Sequence, residues 1–235
     1  MSERFKRRFS DLVIAVLVVT VVFTAFHSAE NLPISANSAY CAVYSGNADG
    51  NEIALTFVVY NGADNGGIIE IADALSSYGV GATFFVSGSW VDDNVEILRY
   101  LREKNFELGN YGFYNRDFKT LSEKSAKEEI TTNHALVKAV VSYEMNLFMP
   151  PNASFSSSTL KIAEKYGYKT ILWTVDALGD DNASSIFKRA TAVKSGDFVL
   201  LNCSLVTASV IEKTLEYYKN AGLTVNSVGN CLPEG

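Results

Sequence analysis

Histidine is nearly missing from this chain. His27 and His134 are the only two in 235 residues, so a zinc or iron site built on imidazole has almost nothing to draw on. Cysteine is scarce as well. Cys41, Cys203 and Cys231 are too few for a disulfide framework. Cys41 and Cys231 flank the globular part, so one bridge between its ends and three free thiols both remain open. Cationic surplus is lacking too: 20 Lys and Arg stand against 26 Asp and Glu, a net charge of −6. That gives no basic face to argue for nucleic acid, and no nucleic-acid partner is expected. What the chain does have is apolar residues, 48% of the total. About 200 residues beyond the N-terminal segment suffice for one domain with a substantial core.

The N-terminus divides by composition. Residues 1–11, MSERFKRRFSD, carry the basic cluster Arg4, Lys6, Arg7 and Arg8 and are expected on the cytoplasmic side. Residues 12–29 follow, uncharged and apolar from 12 to 26. At about 1.5 Å per residue the apolar run falls short of a ~30 Å hydrocarbon core, and His27, Ser28 and Ala29 extend it into the interface. One reading is a single-pass membrane anchor with the basic end inside. The other is a secretory signal cut near Ala29. His27-Ser28-Ala29 fits a small-x-small cleavage pattern poorly, which favours the anchor. Either way the rest of the chain lies outside the cytoplasm, at the cell membrane or secreted. Residues 30–50, rich in Ser, Asn, Ala and Gly, read as a linker and entry segment with a short strand at 42–44.

From 51 to 230 β and α patterns alternate. Strands are expected at 53–59, 82–86, 106–109, 147–148, 169–175, 198–201 and 223–228, each short and apolar. The stripe Ile68, Ile71, Ala72 and Leu75 marks a helix ended by Tyr78-Gly79. Val95, Leu98 and Leu101 mark another, with Asp92 or Asp93 as its N-cap. Further helices are expected at 122–143, 159–166, 183–193 and 207–221. Strict alternation implies α/β architecture with a parallel sheet, here a distorted (β/α)7-type TIM-like barrel preceded by the N-terminal transmembrane or signal helix.

In such barrels reactive groups stand just after the C-terminal ends of the strands. Val58, Val59, Tyr60, Asn61 and Gly62 follow the first. Asn110, Tyr111, Gly112, Phe113, Tyr114 and Asn115 follow the third. Met149, Pro150, Pro151, Asn152 and Ala153 follow the fourth. Trp173, Thr174, Val175 and Asp176 follow the fifth, with Gly179 and Asp180 beyond. Asn202, Cys203 and Ser204 follow the sixth.

The order and spacing of ALTFVVYNG, GVGATFFVSGSWV, FELGNYGFYN, LFMPPNASF, KYGYKTILWTVDALGD and SGDFVLLNCS resemble the polysaccharide deacetylase family. This is the NodB-homology or carbohydrate esterase 4 domain, and the resemblance covers about residues 40–230. The membrane segment and short linker look most like the spore-associated members. The resemblance implies hydrolysis of acetyl groups on chitin-like or peptidoglycan sugars, assisted by a divalent metal such as zinc. It implies acids after the first strand as general base and metal ligand, and a His-x-x-x-His pair after the third. It also implies an arginine after the fourth strand, an acid after the fifth and a general-acid histidine after the sixth.

Carried over residue by residue, most of these groups are missing. The first-strand acids fall on Val58 and Val59, the histidine pair on Tyr111 and Asn115, the arginine on Met149, and the general acid on Asn202. The tyrosine and glycine after the arginine fall on Asn152 and Ala153. Asp176 remains. Valine cannot bind a hard cation or take a proton, and asparagine has no useful pKa. The expectation is therefore a deacetylase-like protein without deacetylase activity, with no metal and no catalytic residues. It would bind a cell-wall or spore polysaccharide, or an envelope protein.

A ligand groove would use Tyr60, Asn61, Tyr111, Tyr114, Asn152, Asp176 and Asn202 as stacking platforms and hydrogen-bonding groups. Equally, the aromatics fill the space of the metal site and the asparagines cap loops, which makes a purely structural protein with a closed groove. If Tyr60, Tyr111 and Met149 fill the mouth, sugar binding is disfavoured; if they line a trough, it survives. A third alternative is an active enzyme with a site rearranged around Asp64 and Asp176. Trp173 reads as a core residue within its strand. Cys203, without a histidine partner, reads as inert.

Overall fold

The strand expected at 53–59 forms from Glu52 to Val59, and all but its first residue are buried. In the computed structural model, which describes residues 40–178 and 182–232, it is β2. A two-residue entry strand, β1 (Ala42–Val43), precedes it. Then come α1 (Asn65–Ser77), β3 (Thr83–Val86), α2 (Gly88–Asp93), α3 (Val95–Glu103), β4 (Glu107–Asn110) and α4 (Glu123–Val141). After β5 (Leu147–Phe148) and a 3-10 turn at Pro151–Ala153 come α5 (Ser157–Lys165), β6 (Lys169–Ile171) and β7 (Val175–Asp176). The chain continues with α6 (Ala183–Ala190), β8 (Phe198–Asn202), α7 (Leu205–Asn220), β9 (Thr224–Asn226) and α8 (Val228–Cys231). The residues expected to anchor the chain, 12–29, lie outside the described residues. Among the described residues no helix is long and apolar enough to cross a membrane.

Every ladder between named strands is parallel, in the order β1-β6-β5-β4-β3-β2-β8-β7, with β9 beside the start of β2. Only Leu172, Trp173 and Thr174 separate β6 from β7. The first half of this extended stretch pairs with β1 and β5, and the second crosses to β8. The sheet therefore curls toward closure, as the alternation predicts. Ser45 adds an antiparallel bridge to Asp197, just before β8.

Period-two alternation splits the core into two layers. Ile53, Leu55, Phe57 and Val59 of β2 join the layer between sheet and helices, where the rings of Phe57 and Phe84 stack at 5.0 Å. Ala54 and Val58 join the inner layer with Phe85, Leu147, Ile171, Phe198 and Leu200. Each fully buried aliphatic or aromatic side chain contributes roughly 1.5–3 kcal/mol.

The N-terminal end of the barrel is plugged. Val228 N donates to Thr83 Oγ1 (2.8 Å), Thr83 Oγ1 donates to Glu107 Oε2 (2.5 Å), and Gly229 N donates to the same carboxylate oxygen (3.0 Å). A Cβ on Gly229 would lie 2.1 Å from Glu107 Oε1, so glycine is what admits this approach. Desolvation of the half-buried Glu107 raises its pKa.

Three expectations need correction. Asp92 and Asp93 end α2, a six-residue helix that the pattern did not show, and the N-cap of α3 is Asn94. The strand expected at 169–175 is split, and Trp173 sits in the gap, half-buried rather than in the core. The last strand stops at Asn226 because the chain turns into α8. Of the two readings left open for the cysteines, the structure has the second: all three thiols are free, Cys41 exposed and the other two buried.

Candidate functional site

At the C-terminal ends of the strands, Val58 is paired with Phe85 on one side and Asn202 on the other. It faces the barrel interior and is 4% exposed. Val59 is fully buried on the opposite face, against the helices. Of the two positions expected to be degenerate, only Val58 therefore belongs to the inner wall.

Above Val58 two of the expected groove residues meet. The rings of Tyr60 and Tyr111 stack with centroids 6.0 Å apart and planes 22° apart. Tyr111 is 5% exposed and Met149 wholly buried in the inner layer, while Tyr60 is 38% exposed. Tyr111 is thus not a groove-lining residue: with Met149 it fills the deep part of the mouth, and Tyr60 lies across the top. Burial pushes the Tyr111 phenol up to about 12, opposed in part by a backbone hydrogen bond from Asn152. At neutral pH it stays protonated and cannot act as a base.

The remaining candidates are spent mostly on holding loops. Asn202 Oδ1 accepts from Ser204 Oγ (3.1 Å) and Thr207 Oγ1 (2.5 Å), while Ser204 caps α7 by accepting from Thr207 N. Asp64 caps α1, accepting from Gly66 N (2.9 Å) and Gly67 N (3.2 Å). Asp176 is exposed and its Oδ1 accepts from Leu178 N (2.9 Å). Asn61 Oδ1 accepts from Ser89 Oγ (3.0 Å). Asn115 and Asn152 both sit at φ +54°, and the Asn115 Oδ1 is buried without a hydrogen-bond partner. Tyr114 is 59% exposed, with the Arg116 guanidinium 5.1 Å from its ring centroid. Cys203 is buried behind the mouth, where desolvation raises its thiol pKa.

Two residues hold the site in roles the sequence did not show: Glu129, and Asn110, marked in the sequence only as a strand-end residue. Glu129 of α4 is 4% exposed, and its Oε2 accepts from both Phe113 N and Tyr114 N at 2.7 Å. Its Oε1 lies 3.4 Å from Arg116 Nε. Asn110 is fully buried; it donates to Ile130 O and Tyr168 OH, and its Oδ1 accepts from Gly112 N and Asn133 Nδ2. A signal for Glu129 existed: Ala126, Glu129, Ile130, Asn133 and Val137 form one helical stripe, with an acid on its buried side.

A divalent cation does not fit this donor set. Val58 has no lone pair to give, Met149 offers a buried thioether to a cation that prefers oxygen or imidazole, and Tyr111 is a protonated phenol. Among the described residues no three His, Cys, Asp or Glu side chains converge to hold a metal.

A family model described as polysaccharide deacetylase matches residues 45–171, just over half of the chain. An uncharacterised 30.6 kDa protein of Geobacillus stearothermophilus is 29% identical over 203 residues, covering 83% of this chain and 76% of its own length. The peptidoglycan-N-acetylmuramic acid deacetylase PdaA of Bacillus subtilis is 31% identical over 137 residues, and the chain spans 51% of its length. A crystal structure of a family 4 carbohydrate esterase pseudoenzyme from Bacillus anthracis superposes with a TM-score of 0.78 at 25% identity, covering 83% of this chain and 69% of that one. A mutant structure of this pseudoenzyme, described as having restored enzymatic activity, gives 0.79 at 26% identity. By sequence match, sheet topology and the placement of its strand-end loops, this chain belongs to the polysaccharide deacetylase family.

Proposed function

We propose that this chain is a non-hydrolytic member of its family that binds a cell-wall polysaccharide at the outer rim of the barrel mouth. It is held at the cell envelope by residues 12–29, with the domain outside the cytoplasm. The observation that carries this reading is the Tyr60–Tyr111 stack over Met149 and Val58. Apolar and phenolic side chains stand where metal-assisted hydrolysis would need a cation, a base and an acid. Tyr60 and Tyr114 keep large exposed surfaces, and aromatic surface beside hydrogen-bonding asparagines suits the faces and hydroxyls of a sugar.

The test is acetate release from acetylated chitooligosaccharides and peptidoglycan by the purified full-length chain with zinc, cobalt or manganese, alongside cosedimentation with purified peptidoglycan. The expected result is no release above the metal-free control, together with sedimentation. Metal-dependent turnover would overturn the reading and favour a site rearranged around Asp64 and Asp176. The capping bonds of Asp64 weigh against that alternative.

A second reading is favoured by the burial of Tyr111 and Met149: a structural protein whose closed mouth serves an envelope protein partner. Failure to sediment with any glycan, with the fold intact, would select it.

A further inference from the structure

We propose that an uncharged, hydroxyl-bearing sugar residue of the glycan is held in a cavity between the loop after β4 and α4, where Glu129 and Arg116 read its hydroxyls. The proposal rests on the glycan-binding reading above and goes on to name the place and the form of the residue bound. The cavity measures about 520 Å³. Its wall includes Phe113, Tyr114 and Arg116 of the loop and Glu128, Glu129 and Thr132 of α4. That volume lies within the roughly 300–1,000 Å³ usual for small-molecule sites. Tyr111 and Met149, which fill the barrel mouth, take no part in the wall.

The polar pair in that wall is only half engaged. Glu129 is 4% exposed, and its Oε2 accepts from Phe113 N and Tyr114 N. Its Oε1 accepts no hydrogen bond among the described residues and has Arg116 Nε at 3.4 Å. Arg116 in turn meets that oxygen and the face of Tyr114, and its terminal nitrogens donate to no described residue. A carboxylate only accepts and a guanidinium only donates. A hydroxyl does both, so adjacent sugar hydroxyls complete the pair: one donates to Glu129 Oε1 and its neighbour accepts from Arg116. The charges around the cavity are already matched, Arg116 by Glu129 and Glu128 by Lys124 at 3.9 Å. A further carboxylate would be set against the two acids, and an ammonium against the guanidinium. An uncharged ring disturbs neither pair. Tyr114, 59% exposed with the Phe113 ring 4.6 Å away, supplies the apolar surface that the C–H face of a pyranose needs.

The test is calorimetric titration of the detergent-solubilised full-length chain with the uncharged tetramer of N-acetylglucosamine, alongside cosedimentation with peptidoglycan. The tetramer should bind. Arg116→Ala and Tyr114→Ala, both at exposed loop positions, should each weaken it about tenfold. Glu129→Gln keeps an acceptor for the two backbone amides and turns the other oxygen into a donor; it should weaken binding as much. Saturating tetramer should also protect Arg116 from phenylglyoxal, read by peptide mass, which a merely structural role for the pair would not produce. Affinity that stays within about twofold in either loop variant, or an Arg116 left unprotected, overturns the proposal and leaves the glycan-binding reading standing. Sedimentation with peptidoglycan without binding of the tetramer does the same. Binding of neither overturns both.

Discussion

Val58 and Asn202 are paired partners across β2 and β8, on the inner side of the sheet at the barrel mouth. Neither can hold or deliver a proton, yet the strands beneath them are in full register. Reinstalling the family's ligands should therefore find a usable frame. The triple variant Val58→Asp, Tyr111→His and Asn115→His should retain one zinc per chain after dialysis, where the parent retains none. Elemental analysis decides this. Val59→Asp alone, at a fully buried position in the helix-facing layer, should cost about 3–5 kcal/mol in denaturant unfolding, because its charge has no partner.

Ala153 holds φ +52°, a conformation that costs an L-residue about 1–2 kcal/mol and glycine almost nothing. Ala153→Gly should stabilise the fold by up to about 1 kcal/mol, less than the relieved strain because glycine also loosens the unfolded chain. A rise in the urea midpoint at unchanged slope is the expected outcome; a fall would show that the strain is absorbed elsewhere.

Glu129 supplies one oxygen to two backbone amides and lies close to Arg116 with the other. Glu129→Ala leaves two part-buried backbone donors without their acceptor, at a cost of about 1–3 kcal/mol. Amide hydrogen exchange at residues 111–116 should accelerate more than elsewhere in the domain, since these are the backbone groups it holds.

Glu107 gives a pH dependence with a definite sign. Desolvation raises its pKa in the fold above the ordinary 4.5. Its stabilising contribution is thus complete below the unfolded value and is lost as pH rises through the folded one. Glu107→Gln keeps an acceptor for Thr83 and Gly229 but cannot ionise. The stability of the variant relative to the parent should rise between about pH 4 and pH 7.5, read from urea midpoints at both.

Thiol labelling tests the burial of the cysteines. Cys41 is exposed; Cys231 is buried and its thiol is pushed up to about 12 by desolvation, with Glu52 and Glu107 adding to the shift. Iodoacetamide at neutral pH should modify Cys41 in the native state, and Cys203 and Cys231 only after unfolding. Fast native labelling of Cys231 would contradict the packing of α8.

Much of the fold was legible because strand-period and helix-period runs do not overlap here. β2, β3, β5 and β8 fall within a residue of their expected positions. What escaped is what periodicity cannot carry. α2 spans fewer than two turns and includes Gly88, Ser89 and Trp90, too short for a stripe to show. The break at Trp173 arises because one extended stretch changes neighbours, a tertiary event invisible to a local pattern. At the site, the identities at Val58, Met149 and Asn202 showed which chemistry was missing. That Val59 faces the helices follows from the same alternation that marked the strand. That Asp64 caps α1 and that Asn202 braces the Ser204 cap of α7 was less accessible, because a capping side chain and a ligand side chain are the same residue types at the same loop positions.

The grip of Asn110 and Glu129 on Gly112, Phe113 and Tyr114 comes from behind the loop and uses only backbone atoms of the residues it holds. The side chains at 111 and 115 take no part in that grip. The loop is thus a socket whose contacts can be exchanged without rewiring the path between them. A lineage, or a protein engineer, can swap what the mouth recognises while the chain around it keeps its course.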